Sequence, residues 1–434
     1  MRVTFFLGPF PIVSETFIVD QIMGLIARGH DVRIHAQAPR PAQTTISPIP
    51  AGQGTDSASR PAQAPDAALP ELGLRERTLY RPTARSHRFG RALQTAGLAL
   101  RHIGRAPVLT LRALDAARYG RAAASGQILR ALIPLLVAER EGRRTGIVHA
   151  HFGPIGALAA ALQEIGAFHA PLVATFHGYD VHVFPRQRGP RYYARLFDRA
   201  ARIMVGTQFM RERVIALGAP SEKIAVLPMG VDLERFAFHV RAGRADRAPV
   251  VFSVGRLIAG KGFEDGLRAF RLVLRAHPRA RYWIVGEGPL RPRLEEIASR
   301  ELEIGHAVRF LGRRSPAEVA ELYRQADLFL HPAKVAPDGW VESQGVVLAE
   351  ASATGLPIVA TRAGGIPESV EDQQSGFLVP PGDDEQMAAR VSQLLDDAAL
   401  RGEMGRRGRR LVAERFDRAK LTERLIRIYE EALR

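Results

Sequence analysis

The sequence predicts an α/β protein built of two doubly wound, parallel-sheet domains that face each other across a cleft. Three observations predict it. Short apolar runs alternate with longer amphipathic stretches along most of the chain, which is the pattern of strands covered on both faces by helices. That alternation lapses in a polar, charged stretch at 239–248 and starts afresh at Val250. Finally, 434 residues exceed a single domain of roughly 100–200 residues.

Residues 2–7 are an apolar run stopped by Gly8 and Pro9, a buried first strand. A helix is predicted over 15–28, with Ser14 as its N-cap and Gly29 as its stop. A second strand follows at 31–36. Residues 39–70 are Pro, Ala, Ser, Thr and Gln with few apolar anchors, too few to offset the entropy of ordering, so a flexible insertion is expected. Residues 71–145 are expected to be a basic helical insertion of two or three amphipathic helices. Strands at 147–151, 172–176, 202–205 and 224–227, with helices at 155–165, 191–200 and 208–217, complete a first domain over 1–235. Residues 236–248 read as a linker. The second domain, 249–415, has strands predicted at 250–254, 281–285, 308–311, 328–330, 358–360 and 377–379. Its helices are predicted at 264–276, 290–299, 316–325, 346–354 and 384–395. A charged C-terminal helix, 416–434, is placed to pack back on the first domain.

Composition removes several function classes. With no cysteine, there is no disulfide scaffold, thiolate metal site or cysteine nucleophile. No run approaches the roughly 18 apolar residues of a spanning helix; the richest, 128–138, is broken by Arg130. The apolar opening is interrupted by Gly8, Pro9 and Pro11 and lacks a small-residue cleavage site, so it reads as a strand and a cytoplasmic location is expected. The net charge is +16, carried by 57 Arg and only four Lys. A GC-rich genome writes such a composition too, but the charge is uneven: 39–146 holds 17 Arg against seven Asp and Glu. A basic surface there suits an anionic membrane or a phosphorylated substrate.

Ligands of doubly wound sheets bind at the carboxyl ends of strands, and three motifs stand there. Gly255-Arg256-Leu257-Ile258-Ala259-Gly260-Lys261-Gly262 follows the strand at 250–254. Its glycines admit a close phosphate, and Arg256 and Lys261 supply charge beside a helix start. It is not a Walker loop, because Gly262 stands where a magnesium-binding Ser or Thr would be. Glu342-Ser343-Gln344-Gly345-Val346-Val347 leads into a helix carrying Glu350. Were the span helical throughout, the two carboxylates would lie about 12 Å apart, beyond the roughly 5–9.5 Å of paired glycosidase carboxylates. They suit two parts of one elongated, hydroxyl-bearing ligand, with the loop amides facing a phosphate. The third, His177-Gly178-Tyr179-Asp180, ends an apolar strand in the first domain. His149 and His151 share a strand face, which alone makes a weak metal site. A Gly-x-Gly-x-x-Gly after the first strand is absent from both halves, which argues against a nicotinamide enzyme.

Together with Ala360-Thr361-Arg362-Ala363-Gly364-Gly365-Ile366-Pro367-Glu368, Ser375 to Val379, and Pro228-Met229-Gly230-Val231-Asp232, these motifs resemble the retaining glycosyltransferases of family 4. The resemblance implies a GT-B fold, a nucleotide-sugar donor and no required metal or other cofactor. It implies that Arg256 and Lys261 hold the diphosphate and stabilise its departing charge. Glu342 would bind donor-sugar hydroxyls and Glu350 the ribose, with Ser343, Gln344, Gly345, Val346 and Val347 facing the sugar and phosphates. His177 would lie near the reacting carbon. Pro11 to Ile18 and Ala150-His151-Phe152-Gly153 resemble the exopolysaccharide and colanic-acid-type subgroup, which places Gly8, Ser14, Glu15, Thr16, His151 and Asp180 on the acceptor side. The acceptor implied is a glycan, a polyprenyl-diphosphate-linked saccharide at the inner membrane face, with the helices of 72–144 against the lipid. Where many members carry a Gly-Gly loop, this chain has Gly8-Pro9-Phe10-Pro11, and residues 333–340 form a longer, Asp338-bearing segment before Glu342. A sugar-nucleotide epimerase on the same fold and a non-catalytic basic membrane- or nucleic-acid-binding module are the alternatives, although no nucleic-acid partner is expected with the donor residues in place.

Overall fold

The computed structural model describes residues 1–12, 15–38, 73–140, 146–189, 191–240 and 247–434. The expected flexible insertion, Ser14 and the centre of the linker (241–246) lie outside the described residues. Two parallel sheets organise the chain. The first has seven strands, β1 (Arg2–Pro9), β2 (Asp31–Gln37), β3 (Thr78–Arg81), β4 (Ile147–His151), β5 (Leu172–Thr175), β6 (Arg202–Val205) and β7 (Ile224–Val226), in the order β3-β2-β1-β4-β5-β6-β7. The second has six, β8 (Val250–Val254), β9 (Arg281–Val285), β10 (Val308–Gly312), β11 (Leu328–His331), β12 (Ile358–Thr361) and β13 (Gly376–Val379), in the order β10-β9-β8-β11-β12-β13.

Helices cover both faces of each sheet, so the central strands β4, β5, β11 and β12 are buried at every residue. That explains why they read as continuous apolar runs rather than alternating ones. In each sheet the strand order reverses beside the first strand, at β1/β4 and at β8/β11. A crevice opens at the carboxyl ends of strands where the order reverses. One crevice is bordered by Gly8 and His151, the other by Gly255 and His331.

The region 71–145 departs from expectation. It contributes a strand, β3, which pairs with β2 at the sheet edge, and its last helix, Gln127–Arg140, belongs to the domain core through Ile128, Leu129, Leu132 and Leu135. Thr78 and Arg81 are the inward residues of β3. Polar inward residues leave no apolar signature to read from sequence. Arg81 donates to the Leu7 carbonyl and lies 5.1 Å from the Phe6 ring centre. The first helix, Thr16–Ile26, has Glu15 at its N-cap position without a side-chain cap bond.

The C-terminus joins the two halves. Helix Ala398–Arg415 packs on the second domain, and the chain crosses beside Val231, whose amide donates to Phe416 (2.8 Å) and whose carbonyl accepts from Arg418 (3.1 Å). Helix Arg418–Leu433 then inserts Leu421, Leu425 and Tyr429 into the first-domain core beside Val3, Phe5 and Ile22. Leu425 is fully enclosed. Leu425→Ala should therefore cost about 2–5 kcal/mol and lower the melting temperature by on the order of 5–10 °C. An unchanged melting temperature would mean that this helix is not part of the core.

Candidate active site

The Gly255–Gly262 loop is shaped by backbone contact. Gly262 has φ +65°, and a side chain there would strike the Pro332 carbonyl. This turn starts helix Phe263–Ala276 and leaves Lys261 against the crevice. Gly260 lacks a side chain because the Trp340 ring occupies the space. The Lys261 ammonium lies 5.6 Å from that ring's centre and pairs directly with the Glu342 carboxylate.

Glu342 stands in a turn that two glycines support from below. A side chain at Gly364 (φ +58°) would meet the Glu342 carbonyl, and one at Gly365 the Ser343 carbonyl, while the Gly365 amide donates to the Glu342 carbonyl at 2.9 Å. His331, at the end of β11, lies 3.2 Å from Glu342 Oε2, and the Ser343 amide donates to Oε1, also at 3.2 Å. Burial alone would raise the Glu342 carboxyl; the Lys261 ammonium, with His331, overrides it and holds the group well below the usual carboxylate range. Gly345 (φ +74°) then starts helix Val346–Ala353, whose first-turn amides point out of its end as at any helix start.

The same turn touches the first domain. The Ser343 carbonyl accepts from Thr207 Oγ1 (2.8 Å), and the Gln344 side-chain amide pairs with both backbone groups of Met229 (2.8 and 2.9 Å). Glu368 accepts from the amides of Gln208 and Phe209 (2.8 Å each), capping a first-domain helix from the second domain. Ser343 and Gln344 thus spend these groups on holding the domains together.

Across the cleft, His177 follows β5, its ring between Phe17 and Phe152 and its Nε2 3.0 Å from His151 Nδ1. Burial pushes His177 down to about 3, so it works as a neutral hydrogen-bonding group. His149 binds Tyr429 (2.6 Å) and Thr175 (2.7 Å) through its two ring nitrogens. Two of the residues expected on the acceptor side, Asp180 and His151, are buried. Asp180 has its oxygens on the amides of Gly153, His177 and Gly178 (2.7–3.0 Å), so it positions the His177 turn rather than presenting a carboxylate. His151 is fully buried behind His177. Gly8 and Thr16 are half-buried, at the carboxyl end of β1 and the first turn of the following helix. Ser14 lies outside the described residues.

The structure gathers Lys261, Glu342, Ser343, Gln344 and Gly345 around one turn, with Arg256 exposed on the adjoining loop. Glu350 lies apart from them, bonded to the Tyr323 hydroxyl at 3.1 Å. Trp340, Tyr323 and Thr207 carry no sequence signal as site residues; His331 is signalled only by its place at a strand end, and Glu368 only as the last residue of the 360–368 motif. His182 also went unread: it is buried, its Nε2 has no partner among the described residues, and Glu342 acts on it electrostatically.

Two half-buried carboxyls carry a stability prediction. Burial pushes Glu350 up to about 7, with Asp20 adding to the shift and Tyr323 and Arg235 opposing it. Burial does the same to Glu15, where Arg256 across the cleft opposes it. Between about pH 4.5 and 7 the folded chain therefore holds more protons than the unfolded chain, and stability from these groups falls as pH rises through that window. Glu350→Gln should raise the melting temperature at pH 8, where it removes a buried charge, and change it little at pH 5. An equal change at both pH values would contradict the shift.

The chain is similar to known proteins along nearly its whole length. Residues 102–235 match the profile described as Glycosyltransferase Family 4, and residues 234–411 that described as Glycosyl transferases group 1. A Salmonella typhimurium protein named as a colanic acid biosynthesis glycosyltransferase is 32% identical over 98% of both chains. The amylovoran biosynthesis glycosyltransferase of Erwinia amylovora is 32% identical over 91% of this chain and 90% of its own. Among solved structures, Anabaena HepE in complex with UDP superposes with a TM-score of 0.69 at 18% identity, over 98% of this chain and 99% of its own. HepE in complex with UDP-glucose gives 0.68 over 98% of both chains, again at 18% identity. The two sheets form the GT-B fold of these neighbours, and the chain belongs to the family 4, group 1 glycosyltransferases.

Proposed function

We propose that this glycosyltransferase moves a hexosyl group from a UDP- or GDP-linked sugar to a glycan acceptor, with retention at the anomeric carbon. The acceptor we infer is a lipid-linked oligosaccharide of exopolysaccharide synthesis. The observation that carries the reading is the buried Lys261–Glu342 pair beside a glycine loop at the strand-order reversal of the second sheet. The names of the colanic acid and amylovoran relatives support the exopolysaccharide setting, and the HepE complexes support a nucleotide-sugar donor.

Glu342 pairs with the Lys261 ammonium. A donor diphosphate competes for that cation, and as Lys261 turns to it Glu342 is released to accept hydrogen bonds from the donor-sugar hydroxyls. Arg256 adds a second charge from the exposed side of the loop. The acceptor hydroxyl oxygen bonds to the anomeric carbon on the face from which the leaving group departs. The bond from that carbon to the phosphate oxygen breaks, its electron pair stays with the phosphate, and the hydroxyl proton passes to the same oxygen. Lys261 and Arg256 stabilise the charge on the departing nucleoside diphosphate, the task a metal performs elsewhere, so the reaction is expected to proceed in EDTA. His177, held neutral, donates or accepts a hydrogen bond near the reacting carbon.

Lys261→Ala and Glu342→Gln should each lower kcat/KM roughly 10²–10³-fold in an assay that follows label from nucleotide sugar to acceptor. The Gln variant retains the size of the side chain and isolates its charge. Full activity in either variant would overturn the site, and turnover of donor without an acceptor would favour an epimerase.

A further inference from the structure

One surface of the first domain faces the wrong way for a protein in water. Helix Arg88–Ile103 has no buried residue. Leu98 and Ala99 pack against the core, while Phe89, Leu93, Ala96 and Leu100, spaced four, three and four residues apart, form one stripe on another side. That stripe is open: Phe89 is 76% exposed, Leu93 54% and Leu100 77%. The next helix, Pro107–Ala113, turns Thr110 and Ala113 inward and leaves Val108 and Leu111 exposed. Apolar residues at this density on one surface indicate something that covers them.

The charge around the stripe says what that is. From Arg77 to Leu114 the sequence has eight arginines and no acidic residue. Arg88 and Arg101 flank the stripe, each about 100° round the helix from it. An apolar stripe bordered by cations is the chemistry of a helix lying in the headgroup layer of an anionic bilayer. A second copy of the chain would set this cationic border against itself. Beside the stripe, a groove of about 380 Å³ lined by Val108, Leu109, Leu136 and Val137, with His102 and Arg105, offers an apolar slot next to cations.

We propose that the Arg88–Ile103 and Pro107–Ala113 helices form a docking face for an anionic lipid bilayer. The final helix of the region, Gln127–Arg140, turns Ile128, Leu129, Leu132 and Leu135 into the core and gives only Leu136 and Val137 to the edge of the face. The docked helix begins seven residues after Arg81, where β3 leaves the sheet at the same carboxyl edge that carries His177. The following helix reaches the opposite edge of the sheet, where Arg112 donates to the Ile165 carbonyl (3.1 Å), so the bilayer lies along the flank of the domain. The inference deepens the lipid-linked acceptor reading and rests on it for its purpose alone, since vesicle binding is measured without nucleotide sugar.

The test is co-sedimentation of the full chain with phosphatidylcholine vesicles, with and without phosphatidylglycerol, at low and high salt. The intact protein should sediment with the anionic vesicles only, and high salt should weaken binding. Leu93→Asp with Leu100→Asp, and separately Arg88→Gln with Arg101→Gln, should each weaken it at least about tenfold while melting temperature and nucleotide-sugar binding stay unchanged. Failure of the intact protein to bind anionic vesicles, or undiminished binding by either double variant, overturns the proposal. A concentration-dependent dimer abolished by the Leu variant, without vesicle binding, assigns the face to a second copy and overturns it too. None of these failures touches the transfer chemistry, which the Lys261 and Glu342 variants test separately.

Discussion

The buried ion pair between Lys261 and Glu342 is the constraint on which the second domain's crevice is built. Two opposite charges removed from water hold each other in place, and removing either strands the other in a poorly solvated site. The surroundings follow from that requirement. Gly262 is a glycine because the Pro332 carbonyl fills the space a side chain would need, and Gly260 yields its space to Trp340. Gly364 and Gly365 let the backbone of a second loop lie directly under Glu342 and Ser343. His331 supplies a further hydrogen-bonding partner for the carboxylate. The pair ties the 255–262 loop to the turn at Glu342, and the Gly365 amide joins a third segment to that turn through the Glu342 carbonyl.

The turn that carries Glu342 is also the contact between domains. Ser343 binds Thr207, Gln344 binds the backbone of Met229, and Glu368 caps a helix of the first domain. A displacement of Glu342 would therefore reach groups that hold the cleft. On the other wall the same logic runs through histidines rather than charges. Asp180 fixes the turn after β5, His151 backs His177, and Tyr429 from the C-terminal helix fixes His149. Burial keeps these rings neutral, so the first domain offers hydrogen bonds and the second offers charge.

Much of the architecture was legible because strands buried on both faces write continuous apolar runs that no loop imitates. The strands at 147–151, 202–205, 250–254 and 281–285 coincide with β4, β6, β8 and β9 residue for residue. β3 was invisible for the converse reason, since its inward residues are Thr78 and Arg81. The basic character of 71–145 masked its two natures, an outward-facing helix at Arg88–Ile103 and a core helix at Gln127–Arg140. In the site, residues inside short motifs could be picked out: Lys261 and Glu342 were read separately, and folding showed that they form one pair. Thr207 stands in no motif, Glu368 and Trp340 only close the 360–368 and 333–340 segments, and the meeting of distant loops gives all three a role. Asp180 was read from its motif as a ligand group, whereas the backbone amides around it had already claimed its oxygens.

The proposed reaction turns on a cation, Lys261, that changes partners. Its most direct test is a crystal structure with the nucleoside diphosphate that stabilises the protein most in EDTA. The expected density places Lys261 Nζ against a phosphate oxygen and away from Glu342, with Arg256 folded over the same diphosphate. A structure in which the diphosphate is bound while the Lys261–Glu342 pair stays intact would contradict it.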